Sequence, residues 1–213
     1  MKKNIARVTG VMTELVFSHA INGEGFYSSY LLSSRKSAAV DRIPILISDR
    51  VFTIELLIPG IYLSVTGQFR SRNCNGKVSL YLFAENIQLE DVEENINEVS
   101  LEGYICRTPI FRTTPFGRDI TGLLVAVNRS CGKSDYIPCI CWGRNAKWAA
   151  RMNVGDCVVL RGRIQSREYL KSLPDGTKET RIAYEVSISA LEVVNDEERS
   201  EQGFNCNGDS GFK

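Results

Sequence analysis

Apolar and polar residues alternate along this chain in short stretches, and the pattern occurs twice. In the second half, VSLEGYI at 99–105 places Val99, Leu101, Gly103 and Ile105 on one side, the two-residue period of a half-buried strand. A turn is predicted at TPIFRTTPFGR, 108–118, from its two prolines and glycine. Further strands are predicted at about 119–129, 136–142, 157–169 and 181–193, the last entered through the turn signal PDGT. Between the third and fourth strands, GRNAKWAARMNVG at 143–155 is Ala-rich. Its Trp148 and Met152 lie four residues apart, which predicts a short helix with one apolar stripe and places Trp148 in the core. Asn153 and Gly155 suit the end of that helix.

The same pattern precedes it. INGEGFYSSYLLSSRK at 21–36 aligns with PFGRDITGLLVAVNR at 115–129 at an offset of 93. RIPILISDR at 42–50 aligns with YIPCICWGR at 136–144 at an offset of 94, and PGIYLSVTGQFRSRN at 59–73 with VGDCVVLRGRIQSRE at 154–168 at 95. Copies of this length are too long for solenoid units and read as two globular domains, which a chain of 213 residues accommodates. LEDVEENINEV at 89–99 is polar and acidic, as a linker would be. Three strands, a helix and two more strands is the element order of an OB-fold. The expected fold is therefore all-β with short helices, built as two tandem OB-fold five-stranded barrels: an N-terminal copy at 1–92, a C-terminal copy at 97–194, and a disordered acidic tail at 195–213.

The formal net charge is only +1, but it is unevenly spread. Residues 1–94 carry ten Lys/Arg and ten Asp/Glu, residues 95–194 fourteen against ten, and the tail two against five. Positive charge thus gathers on the second copy. The opening MKKNIARV has no apolar stretch after its lysines, so no signal peptide, no membrane segment and a cytoplasmic, nucleoid-associated location are expected. The seven cysteines, Cys74, Cys106, Cys131, Cys139, Cys141, Cys157 and Cys206, form no CxxC pair, and His19 is the single histidine. That composition predicts reduced thiols, no metal site and no cofactor. His19 is expected in a loop. Walker-type, GxSxG and paired-His signatures are missing, so an enzyme is not expected.

Strand periodicity puts candidate chemistry on one surface. Along 159–169, Leu160, Gly162 and Ile164 face inward, while Arg161, Arg163, Gln165, Arg167 and Tyr169 share the other side. Tyr136 and Trp142, six residues apart on the preceding strand, also share a face. Flat rings interleaved with arginines suit a flexible single strand: bases stack on rings and guanidiniums meet phosphates. The pattern by itself leaves two other readings open. Trp142 and Tyr169 could pack under a loop, and the arginines could be solvated or blunt a sheet edge.

Residues 97–194 carry several motifs together. NEVSLEGYICRTPIFRTTPFGRDITGLLVAVNR at 97–129, YIPCICWGRNAKWA at 136–149 and NVGDCVVLRGRIQSREY at 153–169 resemble bacterial single-stranded DNA-binding proteins in nearly continuous register. The resemblance implies base stacking on Tyr136, Trp142 and Tyr169. It implies nucleic-acid contacts by Arg112 in the turn, Arg129 at the end of the second strand, Arg144 after the Trp-Gly pair and Arg167 on the fourth strand; Arg163, from the basic stripe on that same strand, is expected to join them. It further implies a single-stranded DNA partner in replication, recombination and repair, and a homodimer supplying four OB-folds, as in the family's two-domain members. Replication and repair proteins are its candidate partners through the acidic tail, although this tail closes on Lys213 after Phe212, unlike the family's pattern. In the first copy Arg42, Ser48 and Cys74 stand where Tyr136, Trp142 and Tyr169 stand, so that copy is expected to be degenerate, binding through phosphate alone or serving in assembly. Two rivals remain at this point: an OB-fold accessory protein of replication restart or a mobile element that works through protein contacts, and an RNA binder, since stacking alone does not read the 2′-hydroxyl.

Overall fold

The computed structural model describes residues 4–74, 77–91, 94–173 and 176–194. Alternation becomes strands throughout. The first half holds β1 (Asn4–Met12), β2 (Val16–Ile21), β3 (Glu24–Ser34), β4 (Val40–Ser48), β5 (Tyr62–Cys74) and β6 (Lys77–Leu89), with a 3-10 turn at Ile54–Leu56. The second half holds β7 (Asn97–Ile105), β8 (Ile110–Thr113), β9 (Asp119–Asn128), β10 (Ser134–Trp142), α1 (Arg144–Ala149), β11 (Cys157–Ser172) and β12 (Lys178–Val193).

Each half closes on itself. β1 pairs with β3 and β5, β3 with β4, β4 with β6 in parallel, and β6 with β5. β7, β9, β10, β12 and β11 form the same ring. Closure of five strands around apolar side chains is the OB-fold, and the chain is two of them in tandem. Phe69, Leu31, Ile45, Leu63 and Leu82 fill the first barrel, and Leu101, Ile105, Ile137, Leu160 and Ile164 the second; all are essentially inaccessible to water.

Both barrels bend at the same place. Pairing slips by one residue between Thr66 and Gly67, and again between Arg161 and Gly162. A Cβ at Gly67 would run into the Phe83 carbonyl, and one at Gly162 into the Ser187 carbonyl. Glycine is required there because the backbones approach so closely. The bend also divides the expected arginine stripe. Arg161 lies beside Ile5, Arg7 and Ser100, whereas Arg163, Gln165 and Arg167 turn into a groove.

Four further expectations are corrected. The segment 110–113, expected as part of a turn, is strand β8, paired with β9 and exposed along its length. His19, expected in a loop, is in β2. Trp148 is 41% exposed rather than core, because the six-residue helix buries Ala146 and Ala149 instead. The first repeat offset is 94, not 93: Met12 pairs with Leu31 where Ile105 pairs with Val125. The tail expected at 195–213 lies outside the described residues.

The barrels join through β1 and β7, which pair antiparallel from Asn4↔Leu101 to Val8↔Asn97. This register is unchanged when the two copies are exchanged, so an approximate two-fold axis passes through Ala6↔Val99. Paired side chains repeat it. Asn4 Nδ2 donates to the Phe69 carbonyl and Asn97 Nδ2 to that of Ile164, each at 2.8 Å. The segment between the barrels is clamped as well: Ile96 N donates to Thr9 Oγ1 at 2.8 Å, and Tyr62 OH donates to the Glu94 carbonyl at 2.8 Å.

Candidate nucleic-acid interface

Two buried carboxylates cross between the halves. Asp41 and Asp135 are both 0% exposed. Arg35 Nε donates to Asp41 Oδ2 at 2.7 Å, and Arg129 Nε to Asp135 Oδ2 at 2.7 Å; each Nη2 grips the other carboxylate oxygen. Each carboxylate then reaches the opposite barrel. Ser166 N donates to Asp41 Oδ1, and Ser71 N to Asp135 Oδ1, both at 2.6 Å. The carboxylates raise the pKa of both arginines through these hydrogen bonds. Paired and hydrogen-bonded in this way, the buried charges are compensated.

Beside Asp41 lies a groove of about 660 Å³ on the second barrel. β8, β9, β10, β11 and β12 line it. It brings together Arg112, Trp142, Arg163 and Arg167 of the expected residues, and adds Arg35 and Arg118, which the sequence did not single out. Trp142, 39% exposed at the end of β10, donates from Nε1 to Ser187 Oγ at 3.2 Å, which fixes its ring. Arg163 Nη1 donates to Asp41 Oδ2 at 3.1 Å and Nη2 to Gln165 Oε1 at 3.0 Å. Burial and the neighbouring Arg35 cation lower its pKa. Gln165 Nε2 continues the line to Glu185 Oε1 at 2.7 Å, and Arg167 Nε lies 3.9 Å from the same oxygen. Five arginines thus face one carboxylate, Glu185, among the lining residues.

The remaining expected residues lie elsewhere. Tyr169 is exposed beyond Arg167, whose guanidinium sits 6.0 Å from the ring centroid. Tyr136 is exposed on β10 at the junction of the barrels, its N–H donating to Ser71 Oγ at 2.8 Å. Arg144 is exposed at the start of α1, outside the groove lining. Arg129 lines a different groove, on the first barrel.

That first-barrel groove, about 730 Å³, is the two-fold mate of the other. The residues standing where Tyr136, Trp142 and Tyr169 stand carry no ring, yet aromatic side chains line it from other strands. His19 stacks on Phe26 at 5.0 Å, Phe26 lies 6.4 Å from Phe83, and the Arg70 guanidinium covers Phe83 at 3.8 Å. Tyr81, Arg72 and Lys133 complete its rim. The alternation Leu80, Leu82, Ala84 inward and Tyr81, Phe83 outward was the available signal.

Comparison with known proteins fits this architecture. A model of the single-strand binding protein family matches residues 96–194. The Bacillus subtilis single-stranded DNA-binding protein A is 30% identical over 117 residues, which cover 52% of this chain and 67% of that protein. The chain belongs to the bacterial single-stranded DNA-binding protein family. The single-stranded DNA-binding protein of Oceanobacillus iheyensis is 36% identical over 81 residues, covering 35% of this chain and 50% of that protein. The chain thus spans about half the length of such relatives. The crystal structure of the wild-type Thermus aquaticus single-stranded DNA-binding protein superposes with a TM-score of 0.72 at 20% identity, over 90% of this chain and 93% of that one. That likeness extends the fold agreement across both barrels. Among the described residues no helix is long and apolar enough to cross a membrane, and no group of three His, Cys, Asp or Glu is placed to hold a metal.

Proposed function

We propose that the chain binds single-stranded DNA without sequence preference and protects it during replication, recombination and repair, without catalysing a reaction. One observation carries this reading: a pinned, half-exposed indole at Trp142 on the rim of a groove lined by five arginines. Every base has a face to stack on such a ring, and a duplex hides those faces. Within the proposal Trp142, Tyr136 and Tyr169 stack bases, and Arg112, Arg144 and Arg167 meet phosphates. Arg163 does so while held on Asp41, and Arg129 acts from the first-barrel groove. That groove serves as an accessory stacking surface through Phe83 and Tyr81.

The domains run 1–92 and 97–194, the protein works in the cytoplasm on the nucleoid, and a homodimer supplies four barrels. Replication and repair proteins are the proposed partners of the tail. Exposed Val16, Phe17 and Ile21 on edge strand β2 favour a second reading, in which the first barrel captures protein partners. Titration with oligo-dT and with duplex of equal length, followed by tryptophan fluorescence at several salt concentrations, tests the proposal. Quenching by oligo-dT that weakens with salt, and little response to duplex, is expected. Equal response to both, or none to either, overturns it.

A further inference from the structure

The second-barrel groove is not built by the second barrel alone. Its inner wall includes Arg35, which belongs to the first half. Arg35 is anchored on Asp41, also of the first half, and Arg163 of the second half is anchored on the same carboxylate. The two guanidiniums therefore stand side by side on one buried anion. Arg35 spends Nε and Nη2 on Asp41, and Nη2 also donates to the Ser166 carbonyl at 3.1 Å. Its Nη1 makes no hydrogen bond among the described residues, and its side chain keeps 26% of its surface open.

The arrangement is not repeated on the other side. By the two-fold relation Gln68 stands in place of Arg163, and it bonds Glu85 at 2.6 Å rather than Asp135. Among the described residues, two arginines hydrogen-bond one carboxylate only at Asp41, beside the groove that Trp142 lines; near Asp135, Arg70 stands by Arg129 but bonds Gln68 instead. An anion entering the groove beside Trp142 meets two cations on one fixed base, a geometry suited to a phosphate.

We infer that Arg35 is a phosphate contact of the second-barrel groove, lent by the first barrel, so that this site is composite and needs both halves of the chain. The inference rests on the single-strand reading above. Because Asp41 keeps Arg163 and the Ser166 N–H when Arg35 is replaced, Arg35→Gln leaves the carboxylate partnered.

The test is titration of full-length Arg35→Gln with a short oligo-dT of about eight nucleotides, enough for one barrel, read by Trp142 quenching across a salt series. Arg151→Gln, exposed and outside both grooves, controls for the loss of one charge. Arg35→Gln is expected to lose about tenfold in affinity. Its log K against log salt slope should flatten by about 0.7, the share of one phosphate on a single strand. Arg151→Gln should match the wild type. Unchanged affinity, or a loss with an unchanged slope, overturns the inference and makes Arg35 a purely structural clamp. Should the variant fail to fold, phenylglyoxal labelling of the wild type decides: oligo-dT should protect Arg35, and equal labelling with and without it overturns the inference. A wild type that oligo-dT does not quench defeats the single-strand reading itself, a different outcome from a quenched wild type with an unaffected Arg35→Gln.

Discussion

Removing the Trp142 ring is the sharpest perturbation of the groove. Two tryptophans are exposed almost equally, Trp142 at 39% and Trp148 at 41%, but one lines the groove and the other sits on α1 outside it. A base stacked on an aromatic side chain contributes about 1–3 kcal/mol by alanine substitution. At 1.4 kcal/mol per factor of ten, that range is about 5- to 150-fold in affinity. The ring is already held by its bond to Ser187, so little entropy is lost on stacking and the upper half of that range is expected, roughly 30-fold or more. An indole that stacks on bases and touches no phosphate leaves the salt slope at the wild-type value, which is the expected result. Anisotropy of a labelled oligo-dT measures both quantities for Trp142→Ala and Trp148→Ala without relying on intrinsic fluorescence. Trp148→Ala should bind as the wild type does. The reasoning fails if Trp142→Ala binds within about twofold of wild type, below the weakest stacking contribution, or if the two variants lose equally.

Other consequences are measurable. Gly162→Ala should cost about 1–3 kcal/mol or more in urea denaturation, because its Cβ meets the Ser187 backbone; Gly122→Ala, with nothing within 4 Å, should be tolerated. Phe83→Ala removes the ring beneath Arg70 and should weaken binding of an oligo-dT long enough to span both grooves, while a short one read by Trp142 quenching is unaffected. Burial pushes the Cys141 thiol from 9.0 up to about 12, and the Tyr184 hydroxyl from 10.0 up to about 12. Well below pH 9.0 both groups are neutral folded or unfolded. As the pH approaches and passes 9.0 the unfolded chain releases its protons first, so these two groups should lower the urea midpoint steadily from there toward pH 12 and leave it unaffected near neutrality.

Much of this architecture was legible in the sequence because two-residue alternation reports directly on a sheet with one buried face. It gave the strands of the second half, the barrel order and the exposure of Trp142 and Tyr169. It did not report edges: β8 buries nothing, so no apolar periodicity marks it, and its flanking prolines read as a turn. It misjudged Trp148 because the small stripe Ala146 and Ala149, not the large ring, packs under the sheet; Thr121 Oγ1 even donates to the Ala146 carbonyl at 2.7 Å. Alternation also assumes a straight strand, so it kept Arg161 with Arg163 across a bend that parts them. The contacts of Arg35 and Arg129 were hidden for another reason. Their backbone partners, Ser166 and Ser71, are 131 and 58 residues away, and only the repeated spacing Arg35–Asp41 and Arg129–Asp135 hinted that the pair had a purpose.

The join between β1 and β7 has a consequence for how the protein behaves when it is scarce. Two barrels on separate chains would meet only as often as concentration allows, and would part on dilution. Here the tether keeps each barrel in the other's presence at an effective concentration of roughly millimolar order, so the cross-barrel clamps at Asp41 and Asp135 persist however few molecules a cell contains. A symmetric assembly must also carry every substitution twice. A tethered one can hold Arg163 on one side and Gln68 on the other, and so keep two unlike grooves at a fixed separation.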